Sequence, residues 1–204
     1  MRLFQATFAV LCAAFLLSAS VPAASAQDTE KKAGKISCDA FLKEGSALAR
    51  DLQAFDDKPQ CERKYHPGGK AYYENYSIGA FHRADKNAKV PEQIWVLIFR
   101  VFGGEEGDMP HSSFASIDGL ENVKNLSENV RADMPGLRGS VPATTFELPG
   151  SGIVIVCLDA QTANGDGSHS AVSLCRSAGK GATEPERLAL AEDMARKDLA
   201  SINP

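Results

Sequence analysis

The sequence predicts a single domain of α+β or α/β/α class, with helices packed on a small, largely antiparallel sheet. Three observations lead there. Apolar residues recur at helical spacing in 37–55, in 118–134 and again in 183–202. Between the last two, Thr144 to Leu148, Gly152 to Leu158 and Ala171 to Cys175 read as strands. Asn164-Gly165-Asp166-Gly167 is a turn signal that folds the last two strands into a hairpin.

Residues 1–26 read as a signal peptide. Arg2 supplies the positive start, Phe4 to Leu17 carries no charge, and Ala24-Ser25-Ala26 is an A-x-A cleavage pattern. The apolar run falls short of the roughly 18 residues that cross a bilayer. Residues 27–36 are polar and Lys-rich and are expected to form a flexible tail, leaving 37–204 as one disulfide-stapled globular domain.

In 37–55, Phe41, Leu48, Leu52 and Phe55 share one helical face. Ser37 stands as the cap and Asp39 in the first turn, where the helix dipole favours a negative charge. Residues 56–91 are broken by Pro59, Pro67-Gly68-Gly69 and Pro91 and are expected to be a long loop. That loop carries an aromatic cluster, Tyr65, Tyr72, Tyr73, Tyr76 and Phe81, which is expected to pin it to the core or to form a recognition surface. Ile94 to Phe99 is apolar throughout, which periodicity cannot resolve. Pro91-Glu92 ahead of it favours a helix, ended by Gly103-Gly104. Asp118 and Glu121 fit a capping box for a helix whose face is Leu120, Val123, Leu126 and Val130, stopped by Pro135-Gly136. After the strands, Thr183-Glu184-Pro185-Glu186 opens the last helix, with Leu188, Ala191, Met194 or Ala195, and Leu199 inward.

Cys12 leaves with the leader, so Cys38, Cys61, Cys157 and Cys175 remain. An even number in an exported chain implies two disulfides, for which sequence alone allows three pairings. The hairpin selects one of them. Cys157 and Cys175 are each nine residues from Asp166, so folding there sets them opposite each other, which leaves Cys38 for Cys61.

Removal of Arg2 leaves 21 basic against 26 acidic side chains. An acidic chain gains nothing from phosphate backbones or anionic bilayers, so neither nucleic acid nor a membrane surface is expected as a partner. No later segment is a membrane span, and no hydrophobic tail signals a GPI anchor. No G-x-S-x-G, H-E-x-x-H or P-loop pattern is present, and no cofactor is expected. His66, His82, His111 and His169 lack metal-ligand spacing, and Glu105-Glu106-Gly107-Asp108 does not match an EF-hand, so no metal site is expected. Asp166-Ser168-His169 reads as a turn rather than a catalytic triad. Asn75 and Asn125 open glycosylation sequons, with Asn75 expected in a loop and Asn125 on a helix.

Three segments resemble the SAG surface antigens of coccidian, Eimeria-type parasites. They are Cys38-Asp39-Ala40-Phe41 running to Leu52-Gln53-Ala54-Phe55, Glu92-Gln93-Ile94-Trp95 through Gly103-Gly104, and Ile153-Val154-Ile155-Val156-Cys157-Leu158. The resemblance implies a CAP-like version of the α/β/α sandwich and a non-enzymatic secreted or surface antigen contacting host cells or host proteins. The histidine and glutamate constellation of CAP proteins is not evident, so no metal site carries over with it. The expected partner is a host or extracellular protein, or a glycan, met by a monomer that is secreted, extracellular, or periplasmic in a bacterium. Two other functions remain open. A secreted hydrolase would bring His66, His82 or His169 to a carboxylate, and a small-ligand carrier would keep a dry cavity behind Ile94 to Phe102.

Overall fold

The computed structural model describes residues 33–55, 57–65, 71–82, 92–103, 121–134, 136–148 and 150–203. Within the compact unit Lys32–Pro204, one antiparallel sheet of eight strands dominates. The strands are β1 (Gly34–Lys35), β2 (Gln60–Tyr65), β3 (Tyr72–His82), β4 (Glu92–Phe102), β5 (Glu121–Met134), β6 (Leu137–Leu148), β7 (Ile153–Ala163) and β8 (His169–Lys180). Their order is β1-β2-β3-β4-β8-β7-β6-β5. The described residues also form two helices, α1 (Ala47–Gln53) and α2 (Glu184–Lys197), and a 3-10 turn at Leu199–Ser201 follows α2.

The expected three-layer α/β/α, CAP-like sandwich is therefore not formed, and the expected small sheet is the largest element of the fold. Three segments account for the difference. Residues 60–65 and 72–82, expected in a loop, pair as β2 and β3 from Gln60↔Ser77 to Tyr65↔Tyr72. Ile94 to Phe102, expected to be helical, is β4. It is flanked on both sides by strands and apolar on both faces, which erases the polar alternation that marks a half-buried strand. The expected helix 118–134 is β5. Its apolar spacing of three and four reflects register shifts against β6 between Glu121 and Lys124, Asn125 and Ser127, and Ser127 and Val130, because each extra residue breaks the period of two. Beyond the last shift the alternation returns, and Val130, Ala132 and Met134 are all buried. Gly136, expected to stop a helix, instead turns the β5–β6 hairpin with a φ of 81°. Asp118, the expected cap, lies outside the described residues.

The first helix is also shorter than expected. Gly45 takes a φ of 64°, a left-handed conformation no helix continues through, and Ser46 caps α1 by accepting from the Ala49 N–H. Residues ahead of it pair with the C-terminus. Leu42 bridges Ile202, Lys43 N–H donates to the Ser201 carbonyl, and Asn203 N–H donates to the Phe41 carbonyl. At the end of the expected tail, β1 pairs Gly34 with Arg63 and Lys35 with Glu62. The last helix forms as expected over most of its length. The Glu186 carboxylate accepts from the Thr183 N–H and hydroxyl, each at 2.7 Å, and Ala191, Met194 and Ala195 are buried.

Both helices pack on one face of the sheet, over rows that run across the strands. One row is Cys61, Tyr76, Ile98, Val172 and Ala160, and the next is Ile78, Val96, Leu174, Leu158 and Ala143. Ile94, Val96 and Ile98, behind which a small-ligand carrier would keep a cavity, belong to this core. A second apolar cluster, Phe146, Ile153, Ile155, Cys157 and Cys175 with Trp95, occupies the opposite face. Arg176 fastens the helices to the sheet. Its Nε donates to Asp198, the C-cap of α2, at 2.7 Å, and its Nη2 to Asp51 of α1 at 2.6 Å.

The two disulfides join Cys38 to Cys61 and Cys157 to Cys175. The second links directly opposed residues of the β7–β8 hairpin, as the equal spacing from Asp166 predicts.

Candidate functional site

The alternation of strand side chains sorts the aromatic cluster into three environments. Tyr76 points under the helices, is 2 % exposed and packs on Phe41 with ring centroids 5.7 Å apart. Tyr73 has the opposite parity and meets Phe99 edge-on at 6.0 Å. Tyr65 and Tyr72 are directly paired, and Tyr72 is paired in turn with Phe102. Phe81 is the next-to-last residue of β3, and its side chain lies outside the described residues. The cluster is thus carried on strands, and the expected aromatic loop is corrected to one row of half-buried rings at the end of β2, β3 and β4.

Within that row the Tyr72 and Phe102 rings stack at 4.7 Å with an interplanar angle of 10°, and Tyr65 tilts onto Tyr72 at 5.6 Å. Such pairs add about 0.5–1.5 kcal/mol to the area they bury. Arg63 lies over the Tyr72 ring, 5.2 Å from its centroid, and its Nε donates to Glu74 at 2.9 Å. Period two places Arg63, Glu74, Arg100, Ser170 and Thr162 as the next row on the same face. Arg100 is committed elsewhere. Its Nη2 donates to the carbonyls of Ala40, at 2.8 Å, and Asn203, and its guanidinium covers Phe41. Burial lowers its pKa, while the charges of Glu74 and Asp166 oppose that shift.

The arrangement offers flat aromatic area beside a fixed guanidinium–carboxylate pair. Stiff rings give contact area with little rotamer entropy to lose, and the ion pair adds directional donors and acceptors. The sequence reading omits Phe102, Arg63 and Glu74 from the cluster. The alternation of 72–79 was a signal for β3, but which residues stand beside it depends on strand register.

The remaining candidates are placed as follows. Asp166 Oδ1 accepts from the Ser168 hydroxyl at 2.6 Å and the Ser168 N–H at 2.9 Å, and these bonds, the hydroxyl's first, hold its carboxyl below the usual range. The segment is the hairpin turn. His169 pairs with Val101 and Ala163 in the sheet. His66, His111, the His82 side chain and Glu105 to Asp108 lie outside the described residues. Among the described residues no group of three His, Cys, Asp or Glu side chains can hold a metal ion, and no helix is long and apolar enough to cross a membrane. Asn75 sits inside β3 between Glu62 and Phe99, half-buried, rather than in a loop. Asn125 lies on β5 rather than a helix, exposed, with its Nδ2 donating to Glu128 at 2.9 Å. The chain matches no family model, no curated protein and no solved structure.

Proposed function

We propose that the protein is an exported, non-enzymatic binding protein that docks an extracellular protein or glycan on the aromatic end of its sheet. The observation that carries this reading is the row Tyr65–Tyr72–Phe102, stacked in register, half-buried and flanked by the Arg63–Glu74 pair. Tyr and Arg are the residue types that concentrate binding energy at interfaces. The exported setting is supported by the signal-like leader and by two disulfides, which persist in oxidising compartments.

The test is selection of ligands for the oxidised protein from a printed oligosaccharide array and a displayed peptide library. Recovered ligands are then measured against the Tyr65→Ala/Tyr72→Ala variant. Loss of a hot-spot pair should weaken them about tenfold or more. Ligands that hold the variant as tightly as the parent, or two blank selections, overturn the reading.

A further inference from the structure

The pairing of β3 is incomplete on its outer side. β2 stops at Gln60, opposite Ser77, whereas β3 runs on to His82 with β4 beside it throughout. Among the described residues, 78–82 therefore has a strand on one side only. The hydrogen bonding of β1 fixes which backbone groups face the open side. The Ile36 N–H donates to the Cys61 carbonyl at 3.0 Å, so Cys61 faces β1, and its neighbours Gln60 and Glu62 face β3. Their partners Ser77 and Asn75 face β2 in return. The same alternation directs the N–H and C=O of Gly79 and Phe81 outward, into the line β2 would take if it continued.

Gly79 is exposed, and a glycine exposes only main chain. It cannot be larger here, because an added Cβ would lie 2.9 Å from the Trp95 Cδ1. A hollow of about 380 Å³ lies along this edge, with Gln60, Ser77, Ile78, Gly79 and Trp95 in its lining. Open edges pair readily with other chains, and proteins usually blunt them. The far edge of the sheet is blunted in this way. There β5 carries three register shifts and exposed Lys124, Glu128 and Arg131. By contrast, Ile78-Gly79-Ala80-Phe81 has no charged residue, and β3 keeps an unbroken register with β4.

The spacing of the open groups specifies the occupant. A twofold axis through Ala80 sets Gly79 opposite Phe81 of a second copy, and Phe81 opposite its Gly79. Each outward N–H then meets an outward carbonyl with no shift of register. Both pairs join a glycine to an aromatic residue, which makes up for the side chain glycine lacks. We infer that the protein self-associates as a twofold dimer by antiparallel pairing of 78–82, which joins two sheets into one. A strand rises about 3.4 Å per residue, so Tyr72 lies roughly 27 Å from the axis and the aromatic row is clear of the contact. The inference is independent of what that row binds.

Sedimentation equilibrium of the full oxidised protein, up to about 1 mM, detects even a millimolar dissociation constant. The average mass should rise from one chain toward two with concentration. Ala80 stands opposite itself at the axis, so Ala80→Lys and Ala80→Glu each bring like charges face to face. Each should weaken the dimer by about 2–5-fold, and an equimolar mixture of the two should associate more tightly than either alone. Phe81→Pro deletes an outward N–H while sparing the ladder to β4, and should weaken the dimer by about tenfold or more. Circular dichroism checks the fold of each variant. A single-chain mass throughout, a dimer unchanged in the folded Lys or Pro variant, or a mixture no tighter than its components each overturns the inference. So does a monomer whose edge takes up a displayed peptide that Phe81→Pro releases, which would assign the edge to a foreign segment.

Discussion

Replacing Arg176 with Met removes a cation held between two carboxylates. Arg176 and Asp198 are 13 % and 6 % exposed in their side chains, and their contacts are 2.7 and 3.0 Å. Methionine keeps much of the length and apolar contact of the stem, so the main change is an uncompensated carboxylate at the end of α2. Breaking a buried pair on one side costs about 3–5 kcal/mol. Asp51 adds little to this, because its side chain is 49 % exposed and water screens it. For a chain of this size the loss corresponds to a Tm lower by about 6–20 °C. The deficit should depend on pH. Burial pushes the Asp198 carboxyl above its ordinary value even beside Arg176, and without the guanidinium it rises further. A carboxyl with a raised folded pKa contributes stability below its unfolded value and loses it as pH rises. The variant should therefore recover part of its loss on acidification toward about pH 4, the unfolded carboxyl's own range. Urea unfolding of the oxidised protein, followed by circular dichroism at neutral and acid pH, measures both effects. Adding Asp198→Asn should restore most of the stability at neutral pH, because no charge is then left buried. A cost under about 1 kcal/mol, a deficit that does not shrink in acid, or a double variant weaker than the single one would refute this account of how the helices are fastened.

Three further outcomes are expected. The native Tyr76 phenol, at about 12, stays protonated where the unfolded one ionises near 10, so its stability share is complete below that pH and falls by up to about 3 kcal/mol as pH rises to 12; unfolding titrations of the parent against Tyr76→Phe should show a flatter alkaline slope in the variant. Gly136→Ala should cost about 2–3 kcal/mol, since the residue sits at φ 81° and its new Cβ would lie 2.4 Å from the Thr162 hydroxyl; chemical denaturation checks this, and Thr162→Ala should recover the steric part alone. Opening Cys157–Cys175, whose cysteines are 18 apart in sequence, should cost about 3 kcal/mol in the chain-entropy model. Because Trp95 packs in the same cluster and stands opposite Cys175, reduction should also raise its fluorescence by removing a quenching disulfide, and an unchanged signal would argue against that packing.

Where a local signal decided the geometry, the sequence was enough. Thr183 with Glu186 starts α2, Asn164 to Gly167 turns β7 into β8, and the equal spacing of Cys157 and Cys175 from that turn predicts their bond. Each needs only residues close along the chain, or a hairpin whose two arms count back from one turn. The other half of the sheet was not legible in this way. Ile94 to Phe102 reads the same as buried helix or buried strand until β3 and β8 lie on either side of it. The shifts in β5 imitate helical spacing, and only β6 shows which residues are extra. The candidate site depends on the same non-local information. Tyr72 becomes part of a stacked row because register sets Tyr65 and Phe102 beside it, while Tyr76, one strand period further along that face than Glu74, goes under the helices. Composition supplied the aromatics and cysteines, whereas strand pairing, whose hydrogen bonds join residues distant in sequence, decided which rings meet each other and which are buried.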